Sequence, residues 1–144
     1  MDIFPAGNIR GISSRTHILN VYAPDKEWEF FLDTMGVTGM LDLSCLILDG
    51  DLNYTLGIEE LWGQSSVEDM MAQKIRDIIL SYHLIDICPP NNAPTWDNGR
   101  RGNNYIVKGL DRFLVQENMA EKMGDVRSHI IENYVSDHCP ITLC

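Results

Sequence analysis

Three short groups of residues in this sequence carry side chains suited to a charged, oxygen-rich ligand. Gly50-Asp51-Leu52-Asn53 follows an apolar run. Residues two apart at a strand end face the same way, so Asp51 and Asn53 present a carboxylate and an amide to one ligand. Ser136-Asp137-His138 sets an imidazole beside a carboxylate between two strand-like runs, a pairing fit for acid–base work or for a place next to a metal. Adjacent residues diverge in direction, so this tripeptide is not a nucleophile–histidine–acid triad. Leu110-Asp111-Arg112-Phe113 puts an aspartate inside an apolar run, which is costly without a partner. That partner is a neighbouring backbone group, Arg112, or a histidine that the carboxylate orients. Each group alone also has a plain reading: an Asp-Gly turn with a polar lip, a capped loop with a surface histidine, and a locally satisfied strand aspartate.

The elements that must position these groups are short. His17 to Ala23 is a β-branched and aromatic run stopped by Pro24, which predicts a strand. Trp28, Phe31, Leu32 and Met35 fall at helical spacing and predict a short helix over Lys26 to Met35. Leu43 to Leu48 is nearly continuous apolar sequence and predicts a central strand covered on both faces. Ser65 or Ser66 offers an N-cap to the clearest helix, whose stripe of Met71, Ile75, Ile78, Ile79 and Tyr82 faces a core. Leu84 to Cys88 predicts a further strand. Thr95-Trp96 and Tyr105 to Val107 flank the turn chemistry of Asp97-Asn98-Gly99. Leu110 to Val115, Arg127 to Val135 and Cys139 to Leu143 complete the strands. Such interspersed helices and strands predict an α+β fold with mixed sheets packed face to face.

Composition narrows the classes. At 144 residues the chain matches a prior of ~150 for one domain, although sandwiches of two sheets often need ~200–250. Eleven basic against 21 acidic residues give −10, which opposes general, nonspecific nucleic-acid binding over long range. No apolar run approaches the ~18 residues of a membrane span, and the first residues lack a secretory pattern. Cys45, Cys88, Cys139 and Cys144 form no CxxC or CxxH pair. They read as reduced core cysteines of an intracellular protein, in nucleus or cytoplasm, with no disulfide-linked partner. Cys45 and Cys88 sit in apolar runs where buried thiols are common.

Taken in order, the groups say more than they do singly. The series VYAP (Val21 to Pro24), GDLN (Gly50 to Asn53), TW (Thr95-Trp96), LDRFLV (Leu110 to Val115) and SDHCPI (Ser136 to Ile141) resembles the endonuclease/exonuclease/phosphatase superfamily. The nearest likeness is to the endonuclease domains of plant LINE-type retrotransposons, and it runs from about Ile18 to Leu143. The resemblance implies a four-layer α/β/β/α sandwich of the DNase I-like type, two stacked mixed sheets flanked by helices, and Mg²⁺- or Mn²⁺-assisted hydrolysis of phosphoesters. It implies that Asp51 orients or deprotonates the attacking water and that Asn53 donates to phosphate oxygens. His138, polarised by Asp111, and Tyr22 would contact the phosphate, and Asp137 would lie near the metal.

The departures point to a partial site. The family carries a metal-binding glutamate on an early strand, whereas this sequence has no glutamate before Glu27, which lies in the helix after VYAP. Asn8-Ile9-Arg10-Gly11-Ile12 looks like the family's first motif but stands too close to VYAP for the intervening strands. The expectation is therefore a residual segment over 1–17 and, over 18–144, the C-terminal part of such a domain, incomplete on its N-terminal side. Metal is expected to bind weakly and hydrolysis to be impaired; the other reading is a catalytically inactive retroelement remnant or interaction module. Nucleic acid or another phosphoester is the expected substrate. Between Asp97 and Arg112, four basic residues (Arg100, Arg101, Lys108, Arg112) outnumber two acidic ones, so Arg100 and Arg101 are candidates to meet a phosphate backbone.

Overall fold

In the computed structural model, residues 2–7, 15–24, 26–63, 67–131 and 135–144 are described, 2–7 and Trp28 by their backbone alone. The proposed motif at Asn8 to Ile12 and the N-cap serines 65 and 66 lie outside the described residues. Strand β1 (Asp2–Gly7) pairs antiparallel with β2 (Thr16–Tyr22). Helix α1 (Trp28–Val37) follows, then β3 (Leu46–Asp51), β4 (Leu61–Gly63), helix α2 (Ala72–Ser81) and β5 (Leu84–Asp86). A hairpin of β6 (Trp96–Asp97) and β7 (Ile106–Lys108) leads into β8 (Asp111–Gln116). Helix α3 (Glu117–Met123) and strands β9 (Ser128–Ile130) and β10 (Ile141–Leu143) complete the chain.

The main sheet has the order β1-β2-β3-β8-β5, with β2 and β3 parallel and the other neighbours antiparallel. The strand predicted from Leu43 to Leu48 is its middle member, shifted to Leu46–Asp51. It runs straight through Asp49-Gly50, which sequence chemistry reads as a turn. The reason is local: Gly50 has φ +133°, and a Cβ there would stand 1.9 Å from the Val21 carbonyl oxygen. Only glycine lets β2 and β3 stay paired to their ends at this point.

Alternation along the strands divides the core. Leu19, Val21, Leu46, Leu48 and Leu114 face Leu32 and Met35 of α1 and Ile75 of α2. Ile47 and Val115 face the other way, toward Met119 and Ala120 of α3 and Leu143 of β10. The second layer of strands is antiparallel throughout: a three-stranded sheet β4-β7-β6 and the pair β9-β10. A bridge between Trp96 and His138, with Cys139 N–H donating to Thr95 O and Asp97 N–H to Asp137 O, joins the two pieces.

Helix α2 starts at Ala72, later than an N-cap at Ser65 or Ser66 implies, and the Asp69 carboxylate before it accepts the N–H and hydroxyl of Thr55. Of the four cysteines expected in the core only Cys45 is buried; Cys139 is half-buried, and Cys88 and Cys144 are exposed, which corrects that expectation. None of the four is in a disulfide. Among the described residues no helix is long and apolar enough to cross a membrane.

Candidate active site

Register sets the site. Tyr22 of β2 pairs with Asp51 of β3, and Asp51 pairs with Asp111 of β8, so three polar side chains stand in one row at the end of the main sheet. They share the face of Ile47 and Val115, opposite the helices α1 and α2. The second layer delivers His138 to that row through its bridge to Trp96. His138 Nδ1 lies 2.9 Å from Asp111 Oδ2, and its Nε2 lies 3.8 Å from Asp51 Oδ2. The three groups bring donor atoms within 4.8 Å of one another.

Backbone bonds hold each carboxylate. Asn53, at φ +58°, directs its N–H back to Asp51 Oδ1 at 2.8 Å. Its Nδ2 also donates to the Ala23 carbonyl, tying the loop after β3 to the end of β2. Ala23 N–H donates to Asp51 O, and Leu52 N–H to Leu110 O. Thr95 is fully buried, and its Oγ1 accepts the N–H groups of both Leu110 and Asp111 at 2.9 Å. The wall of a cleft of about 330 Å³ is made by Tyr22, Asn53, Trp96, Lys108, Asp137 and His138.

The electrostatics favour an imidazolium. Burial opposes the charge of His138, but the hydrogen bond and charge of Asp111, with Asp51 and Asp137 behind it, raise its pKa above 6.5. Asp137 is exposed, and its carboxyl is held below the usual range by its own backbone and by the Trp96 indole, whose Nε1–H donates to Oδ2 at 3.3 Å.

These residues lie in one matched stretch: the profile of the endonuclease–reverse transcriptase family fits residues 16–142. The chain belongs to that family. The superfamily resemblance drawn from the ordered motifs is thus borne out. Among solved structures, the fold is similar to the "Endonuclease domain of TRAS1, a telomere-specific non-LTR retrotransposon", at 19% identity and a TM-score of 0.68. That likeness covers 94% of this chain and 59% of the other, so the chain spans about three-fifths of the length of its structural neighbour. It supports the DNase I-like α+β architecture. No curated protein matches.

Of the residues singled out from sequence, Asp51, Asp111 and His138 meet directly, while Tyr22, Asn53 and Asp137 stand around the cleft. Asp137 is not among the three groups whose donor atoms cluster. Arg100 and Arg101 lie in the β6–β7 loop, both exposed. Asn98 knits this loop, its Nδ2 donating to Asn104 O and its Oδ1 accepting Arg100 N–H and Ile106 N–H. Arg112 needs correction. It is neither a partner of Asp111 nor a surface charge: it is buried on the opposite face, paired with Glu60 and Asp86. Lys108 is likewise engaged, 3.4 Å from Asp69. Thr95, the anchor of Asp111, gave no signal beyond its place in the TW pair.

Proposed function

We propose that this chain is a divalent-metal-assisted phosphodiester hydrolase domain of the endonuclease type, working on nucleic acid at an impaired rate. The observation that carries this is the chain of contacts Asp111–His138–Asp51, closed at 2.9 and 3.8 Å beside a cleft of nucleotide-scale volume. One carboxylate holds and charges the imidazole, and the other, buried and fixed on one oxygen by Asn53 N–H, faces it across the reaction centre.

In this reading Asp51 orients a water and takes its proton as the water oxygen bonds to phosphorus and the opposite P–O ester bond breaks. His138, as imidazolium, donates to a phosphate oxygen as negative charge builds there. The Asn53 amide keeps one N–H for the same purpose after bonding Ala23 O, and the exposed Tyr22 hydroxyl reaches the phosphate from the cleft wall. The Asp51 and Asp111 carboxylates, whose oxygens cluster with the His138 ring within 4.8 Å, offer hard oxygen ligands that fit a divalent cation, while the protonated His138 stays off the metal and the exposed Asp137 lines the cleft outside that cluster. Mg²⁺ or Mn²⁺ held by the two clustered carboxylates would supply charge neutralisation for the phosphate. No glutamate joins this cluster among the described residues, which supports weak metal binding and a slow reaction.

The test is nicking of supercoiled DNA in Mg²⁺ and in Mn²⁺. Slow conversion by the wild type is expected, with Asp51→Ala and His138→Ala each reducing it about 10²-fold or more. A wild type that does not cleave, or variants that cleave as well as it does, would overturn the reading.

A further inference from the structure

The helix-side face of the main sheet holds an ionic cluster that the site does not touch. Arg112 is 2% exposed, and its guanidinium meets Glu60 through two bonds, Nη1 to Oε1 at 3.1 Å and Nη2 to Oε2 at 2.5 Å. Nη1 also pairs with Asp86 of β5, and Nη2 donates to Gly109 O at 3.0 Å. Glu60 in turn accepts Leu56 N–H at 2.6 Å. One side chain therefore ties together the loop that leaves Asp51 and Asn53, the turn that enters β8, and the neighbouring strand β5.

Such a cluster is a poor way to gain stability. Burial opposes the charge of Arg112, an effect its carboxylate partners outweigh, but burial also pushes the Asp86 carboxyl above its usual range despite the guanidinium beside it; well-packed apolar side chains of similar volume are often equal or better. What apolar side chains do not supply is direction. A planar fork grips two carboxylates at fixed angles, which a point charge or a hydrocarbon does not. Asp111 is the next residue on the same strand, and alternation sends its side chain to the site face while Arg112 goes to the helix face.

We propose that Arg112, with Glu60 and Asp86, is a positioning device that sets the start of β8 and the 52–60 loop against each other, and thereby places Asp111 and His138 opposite Asp51. It touches no reacting atom. The consequence for catalysis rests on the hydrolase reading above; the consequence for geometry does not.

The experiment separates position from stability. The triple variant Glu60→Leu, Asp86→Leu, Arg112→Met replaces the charges with hydrocarbon. It is expected to melt at or above the wild-type temperature. Hydrogen exchange at the amides of Leu52, Asn53, Leu110 and Asp111 is expected to speed up at least tenfold, while Leu48 and Leu114 amides stay protected. In DNA nicking, kcat is expected to fall 10- to 100-fold with KM unchanged. Unaltered exchange at those four amides would overturn the proposal, whatever the melting temperature. If the triple variant does not fold, Arg112→Lys decides. It keeps the charge and loses the fork, so local exchange must still accelerate, and wild-type exchange overturns the proposal. If the wild type itself does not nick DNA, the hydrolase reading fails, and the exchange measurement still decides on Arg112.

Discussion

His138 sits between two carboxylates of different exposure, and its protonation is the residue-scale handle on the site. Its pKa is raised in the folded chain, against the opposition of burial, by Asp111 first and then by Asp51 and Asp137. A raised pKa means that the folded state holds the proton more tightly than the unfolded one. The contribution to stability is therefore complete below the ordinary value of 6.5 and is lost as pH rises through the higher folded value. Thermal unfolding of wild type and His138→Gln, followed from pH 5.5 to 9 (roughly one unit below 6.5 to well above it), should give curves that converge as pH rises. Asp111→Asn should narrow the gap at the acid end. Parallel curves would show that the carboxylates do not bias the imidazole. How legible was this pair? Asp111 and His138 are separated by 27 residues, and nothing in either tripeptide names the other. The order of the motifs brought them together, through the likeness to known endonucleases. Of the three partners open to Asp111 by sequence, Arg112 is excluded because neighbours on a strand point to opposite faces, and the histidine is the one found.

At the scale of elements, the site depends on how the second layer is fastened to the first. Thr95 is that fastening. Its backbone takes Cys139 N–H and gives its own N–H to Lys108 O, and its hydroxyl takes the first two amides of the Asp111 segment. Thr95→Val keeps the volume and leaves the Leu110 and Asp111 donors without that acceptor. A loss of about 2–4 kcal/mol in urea unfolding is expected, since each buried donor left unsatisfied costs ~1–3 kcal/mol. A loss within ~0.5 kcal/mol, as for an ordinary surface change, would mean that water or a backbone shift replaces the bond. The main strands and α2 were legible because burial on one or both faces writes a period into the sequence. Helix α3 was not, for β8 passes into it at Glu117 with no intervening turn residue and no side-chain cap. The end of β3 was hidden by Asp49-Gly50, which carries turn chemistry but is held in the sheet by its close approach to Val21. The late start of α2 was hidden too, because Ser65 and Ser66 carry N-cap chemistry while the helix begins at Ala72.

For the whole molecule the question is how a chain of net charge −10 meets a polyanion. Counting charges along the sequence overstates the basic segment. Lys108 is spent on Asp69, and Arg112 is buried with Glu60 and Asp86. Elsewhere Arg76 faces Glu68, Arg127 faces Asp125 and Lys74 faces Glu29. Of the basic segment only Arg100 and Arg101 remain, exposed in the β6–β7 loop; outside it Arg15, Lys26 and Lys122 are likewise in no salt bridge among the described residues, but none of these three lines the cleft. Their hairpin is rooted at Trp96 and Lys108, which also line the cleft, so a backbone crossing the cleft passes the loop. The long-range field repels DNA, and two local cations attract it at short range, so binding should be weak and steeply weakened by salt. Each phosphate contact contributes about 0.9 to the slope of log K against log salt on duplex DNA. Arg100→Gln with Arg101→Gln should therefore lower that slope by about 1.8 if both arginines contact phosphates. The double variant leaves Asp51, Asp111 and His138 in place, so cleavage at saturating DNA should persist while half-saturation moves to higher DNA concentration. An unchanged salt slope would remove the loop from the interface and leave the cleft residues alone to hold the substrate.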